Sequence, residues 1–277
     1  MKHLVVLGAG GLLGRHILRH APHAVGLDRV RCDVTDRADV ERALERASAV
    51  INCAAFTNVD RAETETAAAF AANARGAEHV GQLAMQLGIP ALHVSTDFVF
   101  DGAKSTPYTE ADAPNPLSAY GRSKHEGEVR FLVANPLGKV VRVQGLYGVG
   151  GGNFASKLPD LLAAGKPLRL DDERKVQPTW AGSAALQLLA LLEDERGGRG
   201  GIFHVSCSGQ ATWAGFARRM IEKLGVAQTF TEVPSSALEA PAARPPNCLF
   251  AHDELHRAGL WQMPTWQDAQ DAFLADR

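Results

Sequence analysis

The sequence predicts an α/β fold, a doubly wound parallel sheet with a smaller C-terminal substrate-binding region, and three observations carry that prediction. Short apolar runs alternate with helix-length amphipathic segments through the first half of the chain. The runs lack polar alternation, as strands covered on both faces require. The first of them, Leu4 to Leu7, ends in Gly8-Ala-Gly-Gly-Leu-Leu-Gly14 and passes at Leu12 into a helical pattern.

That opening stretch organises the rest. Gly8, Gly11 and Gly14 fall three apart. The first lets the chain turn, the second lets backbone amides approach a ligand, and the third lets helix and strand pack closely. Uncapped amides at the positive end of a helix suit a pyrophosphate. The next apolar piece, Ala24 to Leu27, ends at Asp28, where a second strand would offer a carboxylate to an adenosine ribose. This is the pattern of a Rossmann-like dinucleotide site.

Composition narrows the class. With 277 residues, 45% of them apolar and 22% charged, the chain has length for a large buried core and reads as an ordinary soluble globule. A net charge of -2 offers no polyanion such as nucleic acid a reason to bind. The basic piece Arg196-Gly-Gly-Arg-Gly-Gly201 occurs once and reads as a solvated loop. No run reaches bilayer length, Met1 leads directly into the first strand, and Cys32, Cys53, Cys207 and Cys248 form no Cys-x-x-Cys pair. The expectation is a cytoplasmic protein with reduced thiols, as a monomer or homodimer.

The remaining elements follow in order. Cys32 to Asp36 reads as a short strand that brings Asp33 and Val34 beside an adenine, and a helix from about Asp36 to Arg46 follows. The strand Ala49 to Ala55 ends in small residues, Ala54 and Ala55, that leave room for a cofactor across the strand tips. Asp60 and Glu63 form a capping pair for one Ala-rich helix that runs to about Leu87. Ala91 to Ser95 is the fourth strand, Ser118 caps a helix from Ala119 to about Val133, and Lys139 to Val143 is the fifth strand.

At Gly148-Val-Gly-Gly-Gly152 the composition changes. We place the nucleotide domain at 1–147, with 181–205 returning to it, and the substrate-binding region at 148–180 and 206–277. Helices are expected at Asn153 to Ala164, Ala181 to Glu193, Thr212 to Leu224, His252 to Ala258 and Thr265 to Leu274, and a strand at Ile202 to Val205. Pro234 to Pro246 reads as a surface connection.

Tyr120-Gly-Arg-Ser-Lys124 places a phenol and an ammonium one helical turn apart. A neighbouring cation lowers a phenol from its usual pKa of about 10, which makes Tyr120 a general acid. Thr96 lies at a strand tip, where a hydroxyl meets a carbonyl oxygen, with Asp97 beside it. His252-Asp-Glu-Leu-His256 has its acid out of register for a zinc site, and Asp171-Asp-Glu173 reads as a solvated run, so no metal is expected. Trp213, Trp261 and Trp266 read as core.

Together, Gly8, Gly11 and Gly14 with Thr96, Tyr120 and Lys124 resemble an extended short-chain dehydrogenase/reductase. Within that group Ala54-Ala-Phe-Thr-Asn-Val-Asp-Arg-Ala-Glu63, Val94-Ser-Thr-Asp-Phe-Val-Phe-Asp-Gly102, Asn115-Pro-Leu-Ser-Ala-Tyr-Gly-Arg-Ser-Lys124 and Gln177-Pro-Thr179 resemble the dTDP-4-dehydrorhamnose reductase family. The resemblance implies reduction of a nucleotide-linked 4-keto-6-deoxysugar by NADP(H) or NAD(H). It implies Tyr120 as proton donor, Lys124 on the nicotinamide ribose, and Thr96 and Asp97 on the substrate. Cofactor contacts would come from Gly8, Gly11, Leu12, Leu13, Gly14, Asp28, Arg29, Asp33, Val34, Ala54, Ala55, Thr57, Tyr120 and Lys124. Substrate contacts would add Gln144, Asn153 and Arg244. Asp28 favours a free ribose 2′-hydroxyl, whereas Arg29 and Arg15 pair with a 2′-phosphate.

Two departures bear on the sugar. Arg142-Val-Gln-Gly145 lacks the aromatic residue the family carries there, and Asp171-Asp-Glu-Arg-Lys-Val-Gln-Pro-Thr179 departs from its Asp-Gln-x-Gly-x-Pro-Thr. A binding subunit resembling the regulatory β subunit of methionine adenosyltransferase is the rival from another class. A sugar-nucleotide epimerase or dehydratase is the third reading, and Phe98, where such dehydratases carry a second acid, counts against it.

Overall fold

The structure, a computed structural model, describes residues 3–165, 167–194, 200–227, 229–238 and 240–277. Positions 196–199 of the arginine-glycine piece lie outside the described residues. The chain runs β1 (Leu4–Leu7), α1 (Leu12–His20), β2 (Val25–Leu27), α2 (Arg37–Leu44) and β3 (Ala49–Asn52), then α3 (Arg61–Thr64), α4 (Thr66–Phe70) and α5 (Gly76–Leu87). Next come β4 (Ala91–Thr96), α6 (Ala119–Ala134), β5 (Lys139–Val143), β6 (Leu146–Tyr147), α7 (Phe154–Ala163), β7 (Arg169–Asp171) and β8 (Thr179–Trp180). It closes with α8 (Ala181–Glu193), β9 (Gly201–Val205), α9 (Trp213–Leu224), β10 (Thr231–Val233), α10 (Asp253–Ala258) and α11 (Trp266–Ala275).

Six strands pair in the order β2-β1-β3-β4-β5-β9, all parallel. Alternate residues of β1 serve two cores. Leu4 and Val6 pack with α1, α8, α9 and α11, while Val5 and Leu7 pack with α2, α5 and Phe131 of α6. Both faces of the strand are dry, which is why its sequence shows no polar alternation. The order reverses between β1 and β3, and the carboxyl ends on either side of that point open a crevice for a ligand. Two small parallel pairs, β10 with β7 and β6 with β8, lie outside the large sheet.

Three expected elements take another form. Cys32 to Asp36 forms turns, because the Asp28 carboxylate accepts the Val30 and Arg31 amides and Asp33 accepts the Thr35 amide, satisfying groups a strand would have shared with a neighbour. The strand from Ala49 stops at Asn52, whose side chain takes the Ala54 amide and turns the chain. The long Ala-rich helix breaks at Glu65 and contains a π turn at Ala71–Arg75. There the buried Asn73 bonds the Phe56 amide and carbonyl and the Ser123 hydroxyl, so the widened turn ties three segments together.

The expected capping pair is also reassigned. Asn58 accepts the Arg61 amide, Asp60 pairs with Arg244 at 2.9 Å, and Glu63 accepts the Ala119 amide at 2.8 Å at the start of α6.

Gly8 is required twice. Its φ is +73°, and a Cβ there would lie 2.5 Å from the Ala54 nitrogen on the neighbouring strand connection. Gly8→Ala is expected to cost on the order of 3 kcal/mol, from left-handed strain plus overpacking against backbone. Urea unfolding checks this; an unmoved midpoint would mean the turn relaxes without penalty.

Candidate active site

A cleft of about 1040 Å³ lies across the carboxyl ends of β1, β3, β4 and β5. One end is the Gly8 to Gly14 turn. No side chain caps α1 and its first turn holds no acid, so its amides and dipole face the cleft unopposed. This is a fit for a dinucleotide pyrophosphate, tested on the backbone itself. Gly8, Gly11, Leu12, Leu13, Gly14, Ala55 and Thr57 line this part.

Asp28, Arg29, Asp33, Val34 and Ala54 stand outside that lining. Asp28 and Arg29 are exposed at the tip of β2, and the Asp28 Cβ would be 3.5 Å from a Cβ on Gly10. The Val34 side chain is turned inward against Gly76 in the second core, and its carbonyl contacts His79 Nδ1 at 3.0 Å. Arg15 bonds the Gly10 and Gly150 carbonyls, joining the glycine turn to the 148–152 loop.

The centre of the cleft is built by α6 and the end of β4. Ser118 accepts the Gly121 amide at 3.1 Å, and with Glu63 on the Ala119 amide the helix begins with two caps. Gly121, between Tyr120 and Lys124, permits the approach of α6 to the chain after β4: a Cβ there would lie 2.2 Å from the Phe98 carbonyl oxygen. Ser118→Ala is expected to cost about 1 kcal/mol, a drop in Tm of roughly 2–4 °C by calorimetry. No drop would mean Glu63 suffices.

Thr96, Asp97, Tyr120 and Lys124 all line the cleft. Thr96 Oγ1 donates to Asp97 Oδ1 over 3.0 Å and accepts from the Phe98 amide at 3.3 Å. Burial raises the Asp97 carboxyl to about 6, against the pull of hydrogen bonds from Thr96 and Gln144. The Tyr120 ring packs edge-on against Phe98 at 5.7 Å.

The lowering of Tyr120 by Lys124 anticipated from their spacing is not what this geometry produces. Burial pushes the phenol up to about 12, a hydrogen bond with Thr96 works against that, and Asp97 adds to it. The Lys124 nitrogen points instead to the Val94 carbonyl at 2.7 Å and toward His93 Nε2 at 3.4 Å. Burial brings Lys124 down to about 8, with Glu128 and Cys53 pulling the other way.

The far end belongs to the C-terminal half. Asn153 lines the cleft, but its amide caps α7 through Ser156 and bonds the Leu146 carbonyl, so little of it remains for a ligand. Gln144 corrects the sequence expectation more fully: it stands behind the wall, 1% exposed, with its amide shared among Asp97, the Cys248 carbonyl and the Gln177 amide. A buried primary amide must satisfy all its groups, and this one does so inside the protein. Arg244 reaches the wall while paired to Asp60.

Sequence reasoning missed Arg169, Arg174 and Lys175, which join Arg244 on the same wall. Arg174 lies 3.5 Å from Asp171, and its Nε is buried with no partner among the described residues. Trp213, read as core, is half-buried on the cleft wall, edge-on to Phe154 at 6.3 Å. These side chains come from β7, the segment after it and α9, and no local pattern links them to the glycine turn.

Comparison with known proteins places this geometry. The family model described as the RmlD substrate binding domain matches residues 1–277. A dTDP-4-keto-6-deoxy-D-glucose reductase of Streptomyces niveus is 35% identical over 274 residues, covering 96% of this chain and 94% of the relative. A dTDP-4-dehydrorhamnose reductase of Mycobacterium tuberculosis is 35% identical over 284 residues, covering 99% of this chain and 93% of the relative. The crystal structure of dTDP-4-dehydrorhamnose reductase from Bacillus anthracis in complex with NADP superposes with a TM-score of 0.94 at 28% identity, over 100% of this chain and 99% of that one. With the family model matched over residues 1–277 and relatives 35% identical across nearly the whole chain, the chain belongs to the RmlD substrate binding domain family, that of the dTDP-4-dehydrorhamnose reductases.

Proposed function

We propose that this protein is an NAD(P)H-dependent reductase of a nucleotide-activated 4-keto-6-deoxysugar. The observation that carries the reading is one cleft that holds both an uncapped glycine turn and the group Thr96, Tyr120 and Lys124. The relatives' names supply the substrate class, and the Bacillus anthracis structure, with NADP, supplies the cofactor class.

When bound, the reduced nicotinamide supplies a hydride to the carbonyl carbon. Tyr120 gives its phenolic proton to the carbonyl oxygen. The phenol carries its proton at neutral pH, as any tyrosine does, and burial strengthens its hold on that proton by raising it to about 12. Thr96, anchored on Asp97, orients the carbonyl beside Tyr120, and Lys124 holds the nicotinamide ribose. Gly8, Gly11, Leu12, Leu13, Gly14, Ala55 and Thr57 hold the pyrophosphate half.

Asp28 and Arg29 choose between NAD(H) and NADP(H), a carboxylate suiting a ribose hydroxyl and a guanidinium a 2′-phosphate. Arg169, Arg174, Lys175 and Arg244 bind the substrate diphosphate, a role supported by the cation cluster on one wall and by an Arg174 Nε that has no partner among the described residues.

We also divide the chain into a nucleotide domain, 1–147 with 181–205, and a substrate-binding region, 148–180 with 206–277. The parallel pairing of β9 with β5 and the separate β10-β7 pair support that division. The reading places the protein in the cytoplasm as a monomer or homodimer. Four free cysteines suit a reducing compartment, and no helix among the described residues is long and apolar enough to cross a membrane.

The test is consumption of NADPH or NADH by purified protein given dTDP-4-keto-6-deoxysugars, followed by nicotinamide absorbance with product identified by mass spectrometry. No oxidation of either cofactor with any such sugar would remove the reductase reading.

A further inference from the structure

The polar chain behind Lys124 sets a constraint that the reductase reading does not use. Asn52, at the end of β3, and His93, on β4, are both fully buried. Asn52 Oδ1 accepts the Ala54 amide at 3.1 Å. An amide N–H donates only to the oxygen, so the group 3.1 Å from His93 Nδ1 is the Asn52 NH₂. His93 Nδ1 therefore accepts, and the ring proton is on Nε2.

That Nε2–H faces Lys124 Nζ at 3.4 Å, while Nζ donates to the Val94 carbonyl at 2.7 Å. An ammonium carries three donors and no lone pair, and would meet the imidazole N–H donor to donor. A neutral amine gives one hydrogen to Val94 and accepts the imidazole proton on its lone pair. His93 has no second proton to gain, since burial and the Lys124 charge hold it well below the usual histidine range.

We propose that His93 is a positioning residue that acts through Lys124: its Nε2–H stabilises the neutral amine, and so sets the pH at which Lys124 carries charge and the alkaline edge of the enzyme's working range. Among the described residues, the other groups that act on Lys124 are these. Cys53 from β3 and Glu128 from α6 favour the ammonium, and burial opposes it. The Glu128 charge is largely committed to Arg142 of β5. Tyr120, on the same helix, is neutral until it gives up its proton. With the phenol held high, Lys124 is the first of the pair to titrate as pH rises, and loss of its charge leaves the amine, already tied to Val94 and His93, one fewer N–H for the nicotinamide ribose.

The kinetic arm of the test rests on the reductase reading, and a second arm does not. His93→Gln offers an amide oxygen to Lys124, a hydrogen bond to the charged form that raises its proton affinity. Asn52→Asp gives His93 Nδ1 a carboxylate to donate to, which moves the ring proton and turns Nε2 into an acceptor for the ammonium. Each variant is expected to shift the alkaline limb of kcat upward by about one pH unit. The ¹³Cε titration of Lys124, in protein carrying ¹³C-labelled lysine and assigned with Lys124→Arg, should shift by the same amount with no substrate present. A uniform fall in kcat with the limb in place, or a Lys124 titration that matches the native protein in both variants, overturns the proposal. If His93→Gln does not fold, Asn52→Asp carries both measurements. A native protein without turnover would end the reductase reading while the Lys124 titration still decides on His93.

Discussion

Tyr120→Phe is expected to lower kcat by roughly 10²–10⁴, the usual contribution of a positioned proton donor. The substitution removes one oxygen and leaves the ring, whose edge-on packing against Phe98 at 5.7 Å keeps the local structure. The glycine turn and Lys124 are untouched, so the KM for the reduced cofactor is expected to stay within a few-fold of native, about the scatter expected when a transition-state interaction alone is removed. Steady-state kinetics with each substrate varied separates the two constants. A variant as fast as the native protein would take Tyr120 out of the chemistry, and a rise in KM alone would reassign it to binding.

The second large effect is on stability. Arg142 on β5 meets Glu128 on α6 through two hydrogen bonds of 2.8 Å, with the side chains 1% and 2% exposed. The guanidinium also lies 4.9 Å over the Phe100 ring. Arg142→Ala leaves the Glu128 carboxylate in a dry site without its guanidinium partner, with only His125 at 3.3 Å and the more distant Lys124 to offset its charge, and about 3–5 kcal/mol should be lost. Arg142→Met with Glu128→Leu removes both charges and keeps volume, and is expected to recover most of that loss. Urea unfolding of both variants is the measurement. A single-variant loss below about 1 kcal/mol would mean the pair behaves as though solvated.

The same pair predicts an acid limb. Hydrogen bonds and charge from Arg142 hold Glu128 well below the ordinary glutamate value of 4.5, against the upward push of burial. A depressed carboxylate contributes stability that is complete above 4.5 and is lost as pH falls from there toward the depressed value. The double apolar variant should lack this component of acid unfolding.

Local chemistry explains which elements were legible. The caps Asp36, Ser118, Asn153, Thr212 and Thr265 each accept a backbone amide in the first turn of the helix they precede, an interaction complete within four residues. Asp60 and Glu63 had the same local form but serve partners across the fold, Arg244 and the start of α6. Nothing in their own neighbourhood distinguishes a cap from a bridge. The turns after Asp28 replaced a strand for a related reason: side-chain acceptors satisfied the backbone before a neighbouring strand did.

By itself the sequence determined the layered parallel sheet, the glycine turn and the helix that carries Tyr120 and Lys124, because strand length, glycine spacing and helical period act between near neighbours. Only the tertiary structure decided the electrostatics and the far wall of the cleft. Burial beside Asp97 raised Tyr120 where spacing to Lys124 suggested lowering, Gln144 withdrew behind the wall, and Arg169, Arg174, Lys175 and Trp213 arrived from distant segments. Desolvation and convergence depend on which groups the closed fold brings together, and that information is spread over the whole chain.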